Sequence, residues 1–221
     1  MKNNYKIYML NMILLISMNC APITSDMMSA KTAGQGGIEI TMNVGSLAMD
    51  DEMVETEGSV QDNLGGSFAY GITDNIDVRA RFESIEIASS EEDDVEMSSS
   101  YSLMSFGIKY GILEDRLAFY LPYSSYNTDE EGADPANLIA PTLLYTATVG
   151  EAFELTPSVK YLVPLGDIAE DNDPGLAYNL GFGYQLLGKF TLRGEWGQYI
   201  PGGDGETTFS QTSFGLTYKL K

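Results

Sequence analysis

The sequence contains no histidine. That removes Ser-His-Asp and Cys-His catalysis, together with every His-ligated metal site. Cys20 is the only cysteine, so no intrachain disulfide can form. Tryptophan occurs once, and bases are scarce, 12 Lys and Arg against 32 Asp and Glu. The net charge of −20 argues against nucleic acid as a partner and favours cations or cationic partners. Long apolar runs are missing too. The run from Ile7 to Met18 is broken by Asn11 and Ser17, and a membrane-spanning helix needs ~20 apolar residues.

Two features of the first twenty residues point to export. Lys2 and Lys6 form a basic start, and the short apolar run follows directly, as in a signal peptide. Cys20 stands just behind, where a lipoprotein carries its acylated cysteine, although Asn19 replaces the usual Gly or Ala. The alternative is ordinary cleavage after Ala21 or Ala30. Residues 1–20 are therefore read as the signal peptide, and 21–36, small and polar without periodicity, as a flexible N-terminal linker.

What is abundant is glycine (23), tyrosine (14) and phenylalanine (9), the composition of a turn-rich β protein. From residue 37 to 221 apolar and polar residues alternate with period 2, the mark of a strand whose faces meet different surroundings. Ten such stretches occur. The apolar positions include Ile38, Ile40, Met42 and Val44 in the first and Phe214, Leu216, Tyr218 and Leu220 in the last. Short connections at 71–75, 111–116, 149–152 and 187–189 recur about every 38 residues, a hairpin repeat. Long connections lie between them, at 46–62, 88–97, 127–137, 165–174 and 201–206. In an up-and-down meander the short turns gather at one end and the long loops at the other. Pro122, Pro141 and Pro157 sit inside expected strands, where proline cannot donate to a ladder. The strand count of about ten could therefore be eight or twelve.

The apolar face decides what the protein is. A soluble barrel that binds a small apolar ligand inside would bury that face. Three patterns favour the opposite. First, the polar face is mostly small, and its charges come as potential partners. Arg79, Arg81, Lys109, Lys160 and Arg193 share it with Glu39, Asp77, Glu83, Glu154 and Glu195. That suits a narrow lumen. Second, Tyr70, Tyr110, Tyr145, Tyr184 and Tyr218 each close a strand before a short turn or the terminus, while Phe82, Tyr123, Tyr161 and Trp196 lie toward the long loops. Two aromatic belts are what a bilayer selects. Third, acids crowd the long loops, for example Asp50, Asp51, Glu52, Glu55 and Glu57 in the first and Glu91, Glu92, Asp93, Asp94 and Glu96 in the second. None of the five loops contains Lys or Arg. The expected fold is all-β, an antiparallel up-and-down transmembrane β-barrel with one acidic rim.

The closing strand carries a resemblance. Ser213, Gly215, Tyr218 and Leu220 match the polar-x-Gly-x-x-hydrophobic-x-hydrophobic signal that ends bacterial outer-membrane β-barrel proteins, although those usually finish on Phe or Trp and this chain finishes on Leu220-Lys221. The resemblance implies a place in the bacterial outer membrane, outer-membrane lipid and the barrel-assembly machinery as partners, and long loops facing outside. The resembling enzymes generally use His, which this sequence lacks, so a non-enzymatic barrel is expected, either structural, surface-interacting or a narrow pore. No cofactor is expected. Ca²⁺ or Mg²⁺ would gather only diffusely at the acidic loops, since 170–175 lacks the spacing and terminal Glu of a Ca²⁺ loop.

Overall fold

The computed structural model describes residues 24–50, 61–87, 99–128, 134–203 and 208–220. Twelve strands form one antiparallel sheet closed on itself. They are β1 (Ile38–Asp50), β2 (Gln61–Gly71), β3 (Ile76–Ile87), β4 (Ser99–Leu113), β5 (Leu117–Thr128), β6 (Ala136–Ile139), β7 (Thr142–Tyr145), β8 (Ala147–Val149), β9 (Phe153–Leu165), β10 (Gly175–Leu187), β11 (Phe190–Ile200) and β12 (Thr208–Leu220). A single helical turn, α1 (Ile168–Asp171), lies between β9 and β10.

Ten traverses result, because β6, β7 and β8 are pieces of one traverse laid between β5 and β9. Of the three suspect prolines, only Pro141 falls at a break, between β6 and β7. Its carbonyl still accepts from Tyr161 N–H at 3.0 Å. Pro122 and Pro157 stay inside β5 and β9, opposite Gly107 and Leu180. The barrel closes where expected: β12 pairs with β1 from Ile38↔Leu220 to Asp50↔Thr208. Closure gives β1 and β12 a partner on both sides.

The period-2 pattern resolves into two faces. Met42, Leu64, Phe82, Phe106, Ile108 and Leu216 point outward and are exposed, Met42 at 69%. Their inward neighbours are buried, Glu83 and Lys109 at 0%. The large apolar side chains cover the outside and buried charges line much of the inside, the reverse of what a barrel that encloses an apolar ligand needs.

Two expectations need correction. The strands reach further toward the long loops than their clean alternation suggested, and there the inward face turns apolar. Ile85, Leu103, Tyr126, Leu138 and Leu162 form a buried cluster inside the loop end. Ile85 and Leu103 merely continue the inward parity of Glu83 and Ser105, but they fall outside the expected strands.

The second correction concerns residues 21–36, read as a flexible linker. Within the described part, Thr24, Ser25, Met27, Met28, Ser29, Ala30 and Ala33 are all buried. The segment occupies the lumen. It leaves by a reversal at Gly34 and Gly36, with φ of 77° and 70°, where Gly36 N–H donates to Gly71 O at 2.8 Å. Positive φ suits glycine at both positions. A Cβ on Gly71 would lie 1.9 Å from Gly34 O, so that close approach also requires glycine.

Candidate functional site

Alternation along each strand aims the charged side chains into the lumen. β3 contributes Asp77, Arg79, Arg81 and Glu83; β1 contributes Glu39; β4 Lys109; β9 Glu154 and Lys160; β11 Arg193 and Glu195. Several pair, along one strand or between strands. Arg81 Nη2 lies 2.7 Å from Glu83 Oε1, and Glu83 also accepts from Asn43 and Asn63 at 2.8 Å each. Arg193 Nη1 lies 3.0 Å from Glu154 Oε1, and its Nε donates to Thr217 Oγ1 at 3.0 Å. Lys109 Nζ is 3.2 Å from Asp77 Oδ2 with both side chains fully buried. Arg79 stands 3.7 Å from Glu39 and 3.9 Å from Asp77. A buried charge needs such partners, because desolvation costs several kcal/mol per ion.

Lys160 and Glu195 behave differently. Their bonds go to the lumen segment. Lys160 Nζ lies 2.7 Å from Asp26 Oδ2 and donates to Thr24 O at 2.7 Å. Glu195 accepts from the N–H groups of Asp26 at 3.1 Å and Met27 at 3.2 Å. Asp26 also faces Arg81 at 3.4 Å, and Lys31 pairs with Glu154 at 3.1 Å. Asp26 and Lys31 are thus members of the charge network that strand alternation could not reveal.

The segment is held mostly through its main chain. Gln211 Oε1 accepts from Thr24 N–H at 2.8 Å and Ser25 N–H at 3.1 Å. Asn179 Nδ2 donates to Thr24 O at 3.0 Å. Thr146 Oγ1 accepts from Ala30 N–H at 2.8 Å, and Asp77 accepts from Ala33 N–H at 3.0 Å. Lys109 donates to Ser29 O and Lys31 O, and Lys219 to Thr32 O at 3.2 Å. Met28 and Ala30 add an apolar contact with Ala118, Tyr120 and Leu144. A polar cavity of about 190 Å³ opens beside the segment, lined by Lys31, Glu39, Glu154, Lys189, Arg193 and Lys219.

The remaining sites fall in different places. Tyr70, Tyr110, Tyr145 and Tyr184 are exposed outward, and Tyr218 packs on Phe190 with ring centroids 4.8 Å apart. Ile72, Ile112, Leu186 and Leu220 carry the apolar face two residues beyond four of these tyrosines. Phe82, Tyr123, Tyr161 and Trp196 are exposed toward the loop end. In the closing strand, Ser213 is buried while Leu220 points outward. Gly215 has a local reason to be glycine: a Cβ there would lie 2.6 Å from Met42 O and 2.9 Å from Met27 Cε of the lumen segment.

Cys20 and residues 1–23 lie outside the described residues, as do most loop acids. Asp134, Asp167, Glu170 and Asp173 are described and exposed. In the 170–175 stretch, Asn172 Nδ2 donates to Ile168 O at 2.9 Å. Among the described residues no three acids or cysteines are grouped to hold a metal ion.

No protein-family profile and no curated protein matches this chain. Solved structures do. The outer membrane protease OmpT from Escherichia coli shares 12% identity at a TM-score of 0.49, covering 83% of this chain and 97% of that one. The translocator domain of the autotransporter NalP from Neisseria meningitidis shares 10% at 0.48, covering 82% and 88%. The attachment invasion locus protein Ail of Yersinia pestis shares 11% at 0.41, covering 84% and 99%. All are outer-membrane barrel proteins. The ten-stranded architecture stands on this chain's own register, and at these similarities the neighbours say nothing of its activity.

Proposed function

We propose that this protein is a non-enzymatic outer-membrane β-barrel, closed at rest, that acts as a structural or surface-interaction protein through its acidic loops. The observation that carries the reading is the inversion of its faces: an apolar exterior around a lumen of buried ion pairs. In water that arrangement leaves a continuous apolar girdle unburied; in lipid it is favourable. Along β4 the outward set from Met104 to Ile112 spans about 27 Å of strand and, at a ~40° tilt, about 20 Å of height, near the ~25 Å apolar band of such barrels. The lumen segment and the apolar cluster at the loop end favour a closed barrel over a standing pore.

Fractionation and electrophoresis test the membrane part. The protein is expected to leave the cell envelope only with detergent, and to migrate differently before and after boiling. Release as a monomer into aqueous buffer would sink the reading. A planar-bilayer recording tests the closed part, with no steady conductance expected from the full chain.

A further inference from the structure

The contacts of residues 24–33 have an order. Thr24 meets Gln211, Asn179 and Lys160, which stand three, four and five residues from the loop ends of β12, β10 and β9. Asp26 and Met27 meet Glu195 at the middle of β11. Ala30 meets Thr146, close to the short turn after β8. Thr32 and Ala33 meet Lys219, Asp74 and Asp77, at the turn ends of β12 and β3. The chain therefore descends the lumen from the loop half to the turn mouth, then reverses at Gly34–Gly36 into β1.

The chemistry of the contacts is equally regular. Wall carboxylates, an amide oxygen and a hydroxyl accept from the N–H groups of residues 24, 25, 26, 27, 30 and 33. Wall lysines and Asn179 donate to the carbonyls of residues 24, 29, 31 and 32. Most of the recognition reads peptide groups; Asp26 and Lys31 supply the side-chain ion pairs. No strand ladder is involved, so the segment is bound as a ligand would be.

We propose that the lumen wall is a directional binding site for an extended peptide, and that the barrel uses it to carry its own N-terminal chain through to the face that bears the long loops. Assigning that face to the cell exterior rests on the membrane reading above. The site fixes polarity because donors and acceptors must meet N–H and C=O groups in sequence. Asp26 sets the register, since its carboxylate must reach both Arg81 and Lys160.

Cysteine labelling on intact cells tests this, with a maleimide too polar to cross the outer membrane. Ile23→Cys is compared with Asp93→Cys in the 88–97 loop and Glu114→Cys in the 111–116 turn. Each variant also carries Cys20→Ser, so that the introduced thiol is the one that reports. The expected result is labelling of Ile23→Cys, slower than that of Asp93→Cys, on intact cells, and loss of Glu114→Cys labelling until the membrane is permeabilised. Labelling of Ile23→Cys only after permeabilisation, with Asp93→Cys still reactive on intact cells, overturns the threading and leaves the membrane reading standing. Labelling of all three on intact cells sinks the membrane reading and the proposal together. Should Ile23→Cys fail to give the heat-modifiable form, an epitope inserted after Pro22 and probed by antibody gives the same comparison.

Discussion

Leu216 and Thr217 are neighbours in β12 that face different surroundings. Leu216 is exposed on the apolar face, whereas Thr217 is buried against Thr41 and Arg193. Leu216→Arg is expected to cost ~2–4 kcal/mol at mid-membrane depth. Strand parity turns Thr217 into the lumen, and there the face is filled, so the sign of an added charge matters. Thr217→Asp meets the Arg193 guanidinium and is tolerated; Thr217→Lys meets it as a like charge and is not. Urea titration of the folded barrel in detergent or vesicles separates the three variants. Lys160 offers a second test. Asp26→Ala leaves its ammonium with only the Thr24 carbonyl among its described partners, and breaking a buried pair from one side costs about 3 kcal/mol. Combining Asp26→Ala with Lys160→Met is expected to restore much of that loss, because no uncompensated charge then remains. Additive losses in the double variant would show that the pair is not coupled.

At the scale of elements, alternation was a faithful guide wherever a strand has an apolar outer face on one side and a polar lumen on the other. It told the outward residues of all ten traverses from the inward ones, through Ala140 and Thr142 on either side of Pro141. It failed near the loop end, where Leu47, Ile85 and Leu103 bring apolar side chains inward and the contrast between faces disappears. A strand whose inward and outward side chains are both apolar has no period-2 signal to read. Residues 24–33 were illegible for a different reason. They bond to side chains rather than to a neighbouring strand, and main-chain recognition imposes no periodicity on sequence. Only the glycines at 34, 36, 37 and 71 hint at the tight passage out of the lumen. Gly71→Ala is therefore expected to act on the segment: its Cβ meets the Gly34 carbonyl, and overpacking of this kind costs about 1–3 kcal/mol. The measurable outcome is a lower melting temperature of the heat-modifiable band with the barrel's circular dichroism retained.

For the whole molecule, the lumen is narrowed at two levels. The polar segment fills the lower and middle parts, and the cluster of Ile85, Leu103, Tyr126, Leu138 and Leu162 lies inside the loop end. Deleting residues 24–33 is expected to lower stability, since Lys160 and Glu195 lose the partners described for them. The deletion alone is expected to leave bilayer conductance small, because an apolar constriction resists wetting. A large steady conductance from that variant would mean that the loop-end cluster is no barrier. The charge network was half legible: the wall charges follow from strand parity, but the residues that complete them do not, since nothing in a stretch of small polar residues marks it as an interior partner.

A chain inside a closed ring raises a question of order. The stretch that fills the lumen joins β1 directly, and β1 pairs with β12, so the first and last of the described strands seal the ring around it. A finished hoop can be threaded only by something slender. An unstructured peptide fused ahead of Thr24 is expected to pass, and the heat-modifiable form to appear as usual. A fast-folding globular domain fused at the same point is expected to stall the hoop open, leaving a chain that proteases degrade, whereas the same domain inserted into the 88–97 loop is tolerated.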